Sequence, residues 1–130
     1  MTRDKQVALI KGSVAGWNEW RTKNRSIRAY LQSADLRCAD LRGAYLQSAD
    51  LQSDIKIEVM TGRVYRSDDY LFMGFATNAG LMIKAGCRVL SPDEYREHVA
   101  KEYPATPKAK ETLRIIQYIE DCAKEQEQWL

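Results

Sequence analysis

Apolar and polar positions along this chain follow three periods, and each predicts a different element. Val7, Ile10, Val14 and Trp17 recur at i, i+3, i+7 and i+10, the stripe of one amphipathic helix near the N-terminus. Gly12 and Gly16 lower the intrinsic propensity of that helix, so packing has to hold it. From Ala29 the period becomes five: AYLQS, ADLRC, ADLRG, AYLQS and ADLQS place alanine at 29, 34, 39, 44 and 49, and leucine at 31, 36, 41, 46 and 51. From residue 55 the alternation is that of strands: IKIEVM, a turn at Thr61-Gly62, then RVYR, YLFMGF and LMIKAGCRVL. Ser67-Asp68-Asp69 and Thr77-Asn78-Ala79-Gly80 supply the intervening turns of a small antiparallel sheet. Helical spacing returns at Ser91-Pro92-Asp93-Glu94, a capping box with proline at the first helical position, and this helix stops before Pro104. A last helix starts at Thr106-Pro107, with Leu113, Ile115, Ile116, Ile119, Cys122 and Ala123 as its apolar face.

The five-residue period fits neither regular element. On an α-helix a step of five turns by about 500°, or about 140° net, which scatters the leucines around the axis. In a flat strand an odd period sends successive leucines to opposite faces. All the Ala/Leu pairs stay inward only when the chain bends at every repeat. Four bends of roughly 90° close a square coil, whose turns stack about 4.8 Å apart like paired strands. Tyr30, Asp35, Asp40, Tyr45 and Asp50 then point outward with Gln32, Arg37, Arg42, Gln47 and Gln52, and the small residues Ser33, Cys38, Gly43, Ser48 and Ser53 take the bends.

These units resemble the pentapeptide-repeat family, whose A-[D/N]-L-x-x units build a right-handed quadrilateral β-helix. The likeness extends to Trp17-Asn18-Glu19-Trp20-Arg21, similar to a segment that precedes the repeats in bacterial and phage members. Five repeats make just over one coil, where the better-known members have many. A coil this short exposes the end of its apolar channel, and Trp17 and Trp20 read as cap residues over that opening. The expected fold is therefore mostly β with flanking helices. It comprises an N-terminal capping helix over 1–28, a short right-handed quadrilateral coil over 29–53, an antiparallel β segment over 54–90 and a C-terminal helical segment over 91–130. The stretch from Ala85 to Tyr103 and the ETLRIIQYIE that follows also resemble the tails of small phage and bacterial proteins, a likeness that implies no activity.

Composition narrows the function classes. Hydrophobic residues at 45% and charged residues at 29% are the balance of a globular protein. No apolar run approaches the roughly 18 residues that span a bilayer. The first residues carry no signal-peptide pattern, so the expected location is the cytoplasm, of the host if the chain is phage-encoded, with no membrane partner. The net charge of +2 conceals a gradient: residues 1–28 hold seven Lys/Arg against two acids, and residues 91–130 hold six against nine. Neither end is extreme enough to mark a nucleic-acid arm. Three widely spaced cysteines (Cys38, Cys87, Cys122) and one histidine support neither a zinc site nor a disulfide framework, and no cofactor is expected.

Catalytic constellations are scarce. His98 and Cys87 are the one tempting nucleophile–base pair, but their spacing matches no Cys-His hydrolase and Cys87 falls in a buried-looking strand. Asp68 and Asp69 adjoin in a turn, where carboxylates face water. No Walker loop, GxGxxG, HExxH or EF-hand pattern occurs, so no enzymatic activity is expected. The leading expectation is a non-enzymatic interaction module that binds a protein partner through a rigid β-coil surface. A symmetric homodimer is expected as well, with the last helix pairing through Leu113, Ile116 and Ile119, flanked by Tyr118 and Trp129. The alternative is a phage-type anti-defence protein that sequesters a nucleotide-like anion, with Arg37, Arg42, Arg63, Arg66 and Lys84 supplying charge and Tyr65 or Tyr70 stacking. A third reading, DNA mimicry against a type II topoisomerase, requires a long acidic rod, whereas this coil is short and the net charge is positive.

Overall fold

A computed structural model of the chain describes residues 2–31, 41, 44–46, 49–52, 55–86 and 88–129. In chain order the elements are α1 (Arg3–Gly12), α2 (Val14–Lys23), β1 (Asp50–Gln52), β2 (Ile55–Tyr65), β3 (Leu71–Thr77), β4 (Gly80–Ala85), β5 (Arg88–Leu90), α3 (Pro92–Glu102) and α4 (Pro107–Trp129). The strands form one sheet in the order β1-β2-β3-β4-β5, each neighbour antiparallel.

The single N-terminal helix expected from the stripe is two helices. Ser13 breaks it: its backbone is extended (φ −160°, ψ 113°) and its hydroxyl accepts from the Gly16 N–H, capping α2. A serine beside a glycine competes for backbone hydrogen bonds well enough to interrupt a weak helix. The stripe survives the break, with Ile10 and Trp17 buried and Val7 and Val14 half-buried.

The sheet is the middle of three layers. Alternation along β3 sends Leu71, Met73 and Phe75 to one face, where Ile57, Met82 and Val89 join them against Ile10, Trp17 and the repeat residues Ala29, Leu31, Leu41, Leu46, Ala49 and Leu51. Phe72, Ile83 and Ala85 point the other way, into Tyr95 and Val99 of α3 and Ile115, Ile116 and Ile119 of α4. Each large side chain buried this way contributes about 1.5–3 kcal/mol, so both outer layers are held by burial on a shared sheet.

Three local expectations change once this packing is in view. Thr61-Gly62 is not a turn: β2 runs through it and absorbs RVYR, with a register shift between Met60↔Phe75 and Gly62↔Gly74. A Cβ on Gly62 would lie 3.6 Å from Ile119 and Cys122, an ordinary contact, so α4 packs over the strand at this bulge. LMIKAGCRVL is two strands, β4 and β5, turning at Gly86 (φ 60°), a left-handed position that suits glycine. On α4 the buried face is Ala109, Thr112, Ile115, Ile116 and Ile119, while Leu113 stands 39% exposed. At 100° per residue, Leu113 lies about 100° from the centre of that arc. Ile116 and Ile119 are thus spent on the chain's own sheet, not left over for a partner helix; the side chain of Trp129 lies outside the described residues.

The other boundaries match. Asp69 (φ 64°) and Gly80 (φ 93°) make the two hairpin turns. Both halves of the Ser91/Glu94 capping box are formed, at 2.9 and 3.2 Å. Among the described residues no helix is long and apolar enough to cross a membrane.

Candidate functional site

The repeat segment bends as its period requires. Backbone bonds close from Ala44 N–H to Leu41 C=O and from Ala49 N–H to Leu46 C=O, both 3.0 Å, one bend in each of two successive repeats. Tyr30 and Asp50 form a parallel bridge, with Leu31 N–H donating to Asp50 C=O (2.8 Å) and Asp50 N–H to Ala29 C=O (2.7 Å). Those residues are four five-residue repeats apart. Tyr45 projects outward, 56% exposed. Asp50 does not: pairing with β2 covers it completely, and Arg28 Nε meets its carboxylate at 2.6 Å. Arg37 and Arg42, with Asp35 and Asp40, lie outside the described residues.

Side chains of α1 and α2 occupy the open edge of the coil in place of another strand. Asn18 Oδ1 accepts from Tyr45 N–H (2.7 Å), while Trp17 Nε1 donates to Tyr45 C=O (2.9 Å). Gln6 does the same at the first repeat, accepting from Tyr30 N–H (2.7 Å) and donating to Arg28 C=O (3.0 Å). Trp17 is wholly buried and Trp20 packs on it, their rings 5.4 Å apart, so the tryptophans pack against the apolar residues of the repeat segment. The apolar stripe and the Trp17-Asn18-Glu19-Trp20-Arg21 segment point to the tryptophans but assign no role to Gln6 or Asn18; Asn18, between them in that segment, is the available signal.

The other cations expected to gather do not form one site. The Arg63 guanidinium stacks 5.4 Å from the ring of exposed Tyr65 on β2. Lys84 is wholly buried in β4, on the same face as Met82, and cannot meet a ligand at the surface. Arg66, only 5% exposed, is locked in place: Nε and Nη2 each reach the Asp68 carboxylate at 2.8 Å, and Nη1 donates to Thr112 Oγ1 at 3.0 Å. Its hydrogen bonds hold the Asp68 carboxyl down to about 2.

Arg66 and Tyr70 instead line a cavity of about 160 Å³ with residues from the other end of the chain. Its walls include Tyr95 and His98 of α3 and Tyr103 after it, together with Arg88 of β5 and Lys108 of α4. Arg88 Nη1 lies 3.4 Å from His98 Nδ1, and since a guanidinium only donates, that nitrogen is the acceptor. The imidazole stands edge-on between Tyr95 (6.0 Å) and Tyr103 (6.1 Å), and Lys108 Nζ sits 5.2 Å from the Tyr103 ring. Burial pushes the Tyr95 phenol above its usual range, so it stays protonated. Cys87, the proposed companion of His98, lies outside the described residues.

A second cationic hollow, about 370 Å³, opens beside the start of the repeats between Arg21, Arg25, Arg28 and Lys56. Among the described residues no group of three or more His, Cys, Asp or Glu could hold a metal ion.

A repeat segment that bends at Ala44 and Ala49, packed with two helices against an antiparallel sheet, defines the class of protein. Residues 27–53 match the family model described as Pentapeptide repeats (8 copies), so this segment is a pentapeptide-repeat segment, and residues 1–26 and 54–130 lie outside the match. No curated protein and no solved structure matches the chain.

Proposed function

We propose that the protein is a non-enzymatic interaction module in which a short right-handed quadrilateral coil presents its outward side chains to a protein partner. The observation that carries this reading is the Tyr30–Asp50 bridge: a four-sided coil returns to its starting edge after four repeats, the separation of these two residues. Support also comes from how the segment is held. Ala29, Leu31, Leu41, Leu46, Ala49 and Leu51 are absorbed in a core shared with the helices and the sheet, and the backbone of Tyr45 is gripped on both sides by α2. A fixed, exposed tyrosine loses little entropy on binding and is a common anchor of interfaces. A second copy of the chain is one such partner; among the described residues of α4, Leu113 and Tyr118 are the large apolar ones exposed for it. The test is affinity capture with wild type and Tyr45→Ala: a stoichiometric partner kept by the first and lost by the second is expected. Equal retention, or none, rejects the proposal.

A second reading, sequestration of a nucleotide-like anion in the manner of a phage anti-defence protein, is favoured by the 370 Å³ hollow. That volume reaches the roughly 300 Å³ at which small-molecule sites begin, and Arg28 there stacks 5.6 Å from the Tyr30 ring. Thermal-shift screening against nucleotides tests it, and an unmoved melting temperature rejects it.

A further inference from the structure

We infer that the smaller cavity, between the β2–β3 turn, β5 and the α3–α4 connection, is a binding site for a single phosphate group, free or at the end of a small phosphomonoester. It is separate from the hollow beside the repeats and does not depend on either reading above.

Charge is the first reason. Four nitrogen-bearing side chains converge there from β5, α3, α4 and the β2–β3 turn, and among the described residues no carboxylate lines the cavity. Arg66 is neutralised by Asp68, leaving Arg88 and Lys108 as the uncompensated cations. Neither has a carboxylate partner among the described residues; Arg88 meets only His98, and Lys108 only the face of Tyr103. Two such charges match the about −1.5 to −2 that a phosphomonoester carries near neutral pH.

Geometry is the second. The Arg88 fork suits two oxygens of a tetrahedral anion, and Lys108 adds a mobile point charge. Buried Arg66 and Tyr95 are held by packing, so the floor is already formed before a ligand arrives. Size is the third: about 160 Å³ lies below the roughly 300 Å³ of ordinary small-molecule pockets, which admits a phosphate and excludes a whole nucleotide.

Calorimetric titration of the full chain with inorganic phosphate and with phenyl phosphate, at ionic strength matched with chloride, tests the site. Both ligands are expected to bind wild type, at equal strength if the site serves free phosphate and more tightly for phenyl phosphate if it serves an ester. Arg88→Gln and Lys108→Gln, both changes at exposed side chains, should each weaken binding at least tenfold. Lys56→Gln, in the other hollow, should leave it unchanged. No binding to wild type at millimolar phosphate overturns the inference, as does equal binding by wild type and Arg88→Gln, or a loss in Lys56→Gln as large as in the cavity variants.

Discussion

At Gly74 the absent side chain is what lets α4 close on the sheet. A Cβ there would overlap Ile119 Cγ2 and sit 2.8 Å from Thr61 Oγ1. Gly74→Ala should therefore destabilise the fold by about 1–3 kcal/mol, the usual effect of overpacking. Gly12 is the contrast, a helical glycine with nothing within 4 Å of its Cβ position. Gly12→Ala should stabilise by about 0.5–1 kcal/mol, and urea denaturation of the two variants reads the opposite signs. Asp68 makes a pH prediction at the same scale. Hydrogen bonding from Arg66 lowers its folded pKa from 3.8 to about 2, so the pair contributes fully above the unfolded value and loses that contribution as pH falls through 2. Asp68→Asn should flatten the stability profile between those limits. Because the Asp68 side chain is 51% exposed, solvent screening keeps the loss at neutral pH within about 1 kcal/mol.

Among elements, the junction between the helical cap and the coil is the most informative. Gln6 is wholly buried and serves the Tyr30 N–H of the first repeat and the Arg28 carbonyl just before it, as a neighbouring strand would. Gln6→Leu keeps the bulk and removes both bonds, and should cost about 1–3 kcal/mol through the unpaired Tyr30 N–H. Leu41, 1% exposed in the coil interior, tests the coil itself. Leu41→Asp places an unpaired carboxylate among apolar side chains, a penalty of several kcal/mol that rivals a domain's whole stability. The expected result is loss of the cooperative melting transition by circular dichroism; wild-type melting would refute the inward placement of the leucines.

For the whole molecule, one sheet buried on both faces couples a repeat layer to a helical layer. Phe72 and Met73, adjacent in sequence, belong to opposite cores, so damage to β3 should reach both. Self-association also belongs at this scale. Sedimentation equilibrium across micromolar concentrations should find a species of twice 14.9 kDa if the chain pairs, and a constant mass near 14.9 kDa rejects a dimer. The sequence by itself determined whatever depends on neighbouring residues. The five-residue period fits the bends closed by Ala44 and Ala49, Ser91 and Glu94 cap their own helix, and Ser67–Asp69 and Thr77–Gly80 turn the chain locally. Tertiary structure decided whatever depends on partners distant along the chain. Thr61-Gly62 has the local chemistry of a turn, yet α4 lying across it makes it a bulge in a longer strand. Asp50 occupies an outward position of its repeat, yet β2 and Arg28 enclose it. Arg66 follows β2, Arg88 lies on β5, His98 on α3 and Lys108 on α4, and no local pattern joins these elements; only the closing of the last helices over the sheet brings their side chains to one cavity.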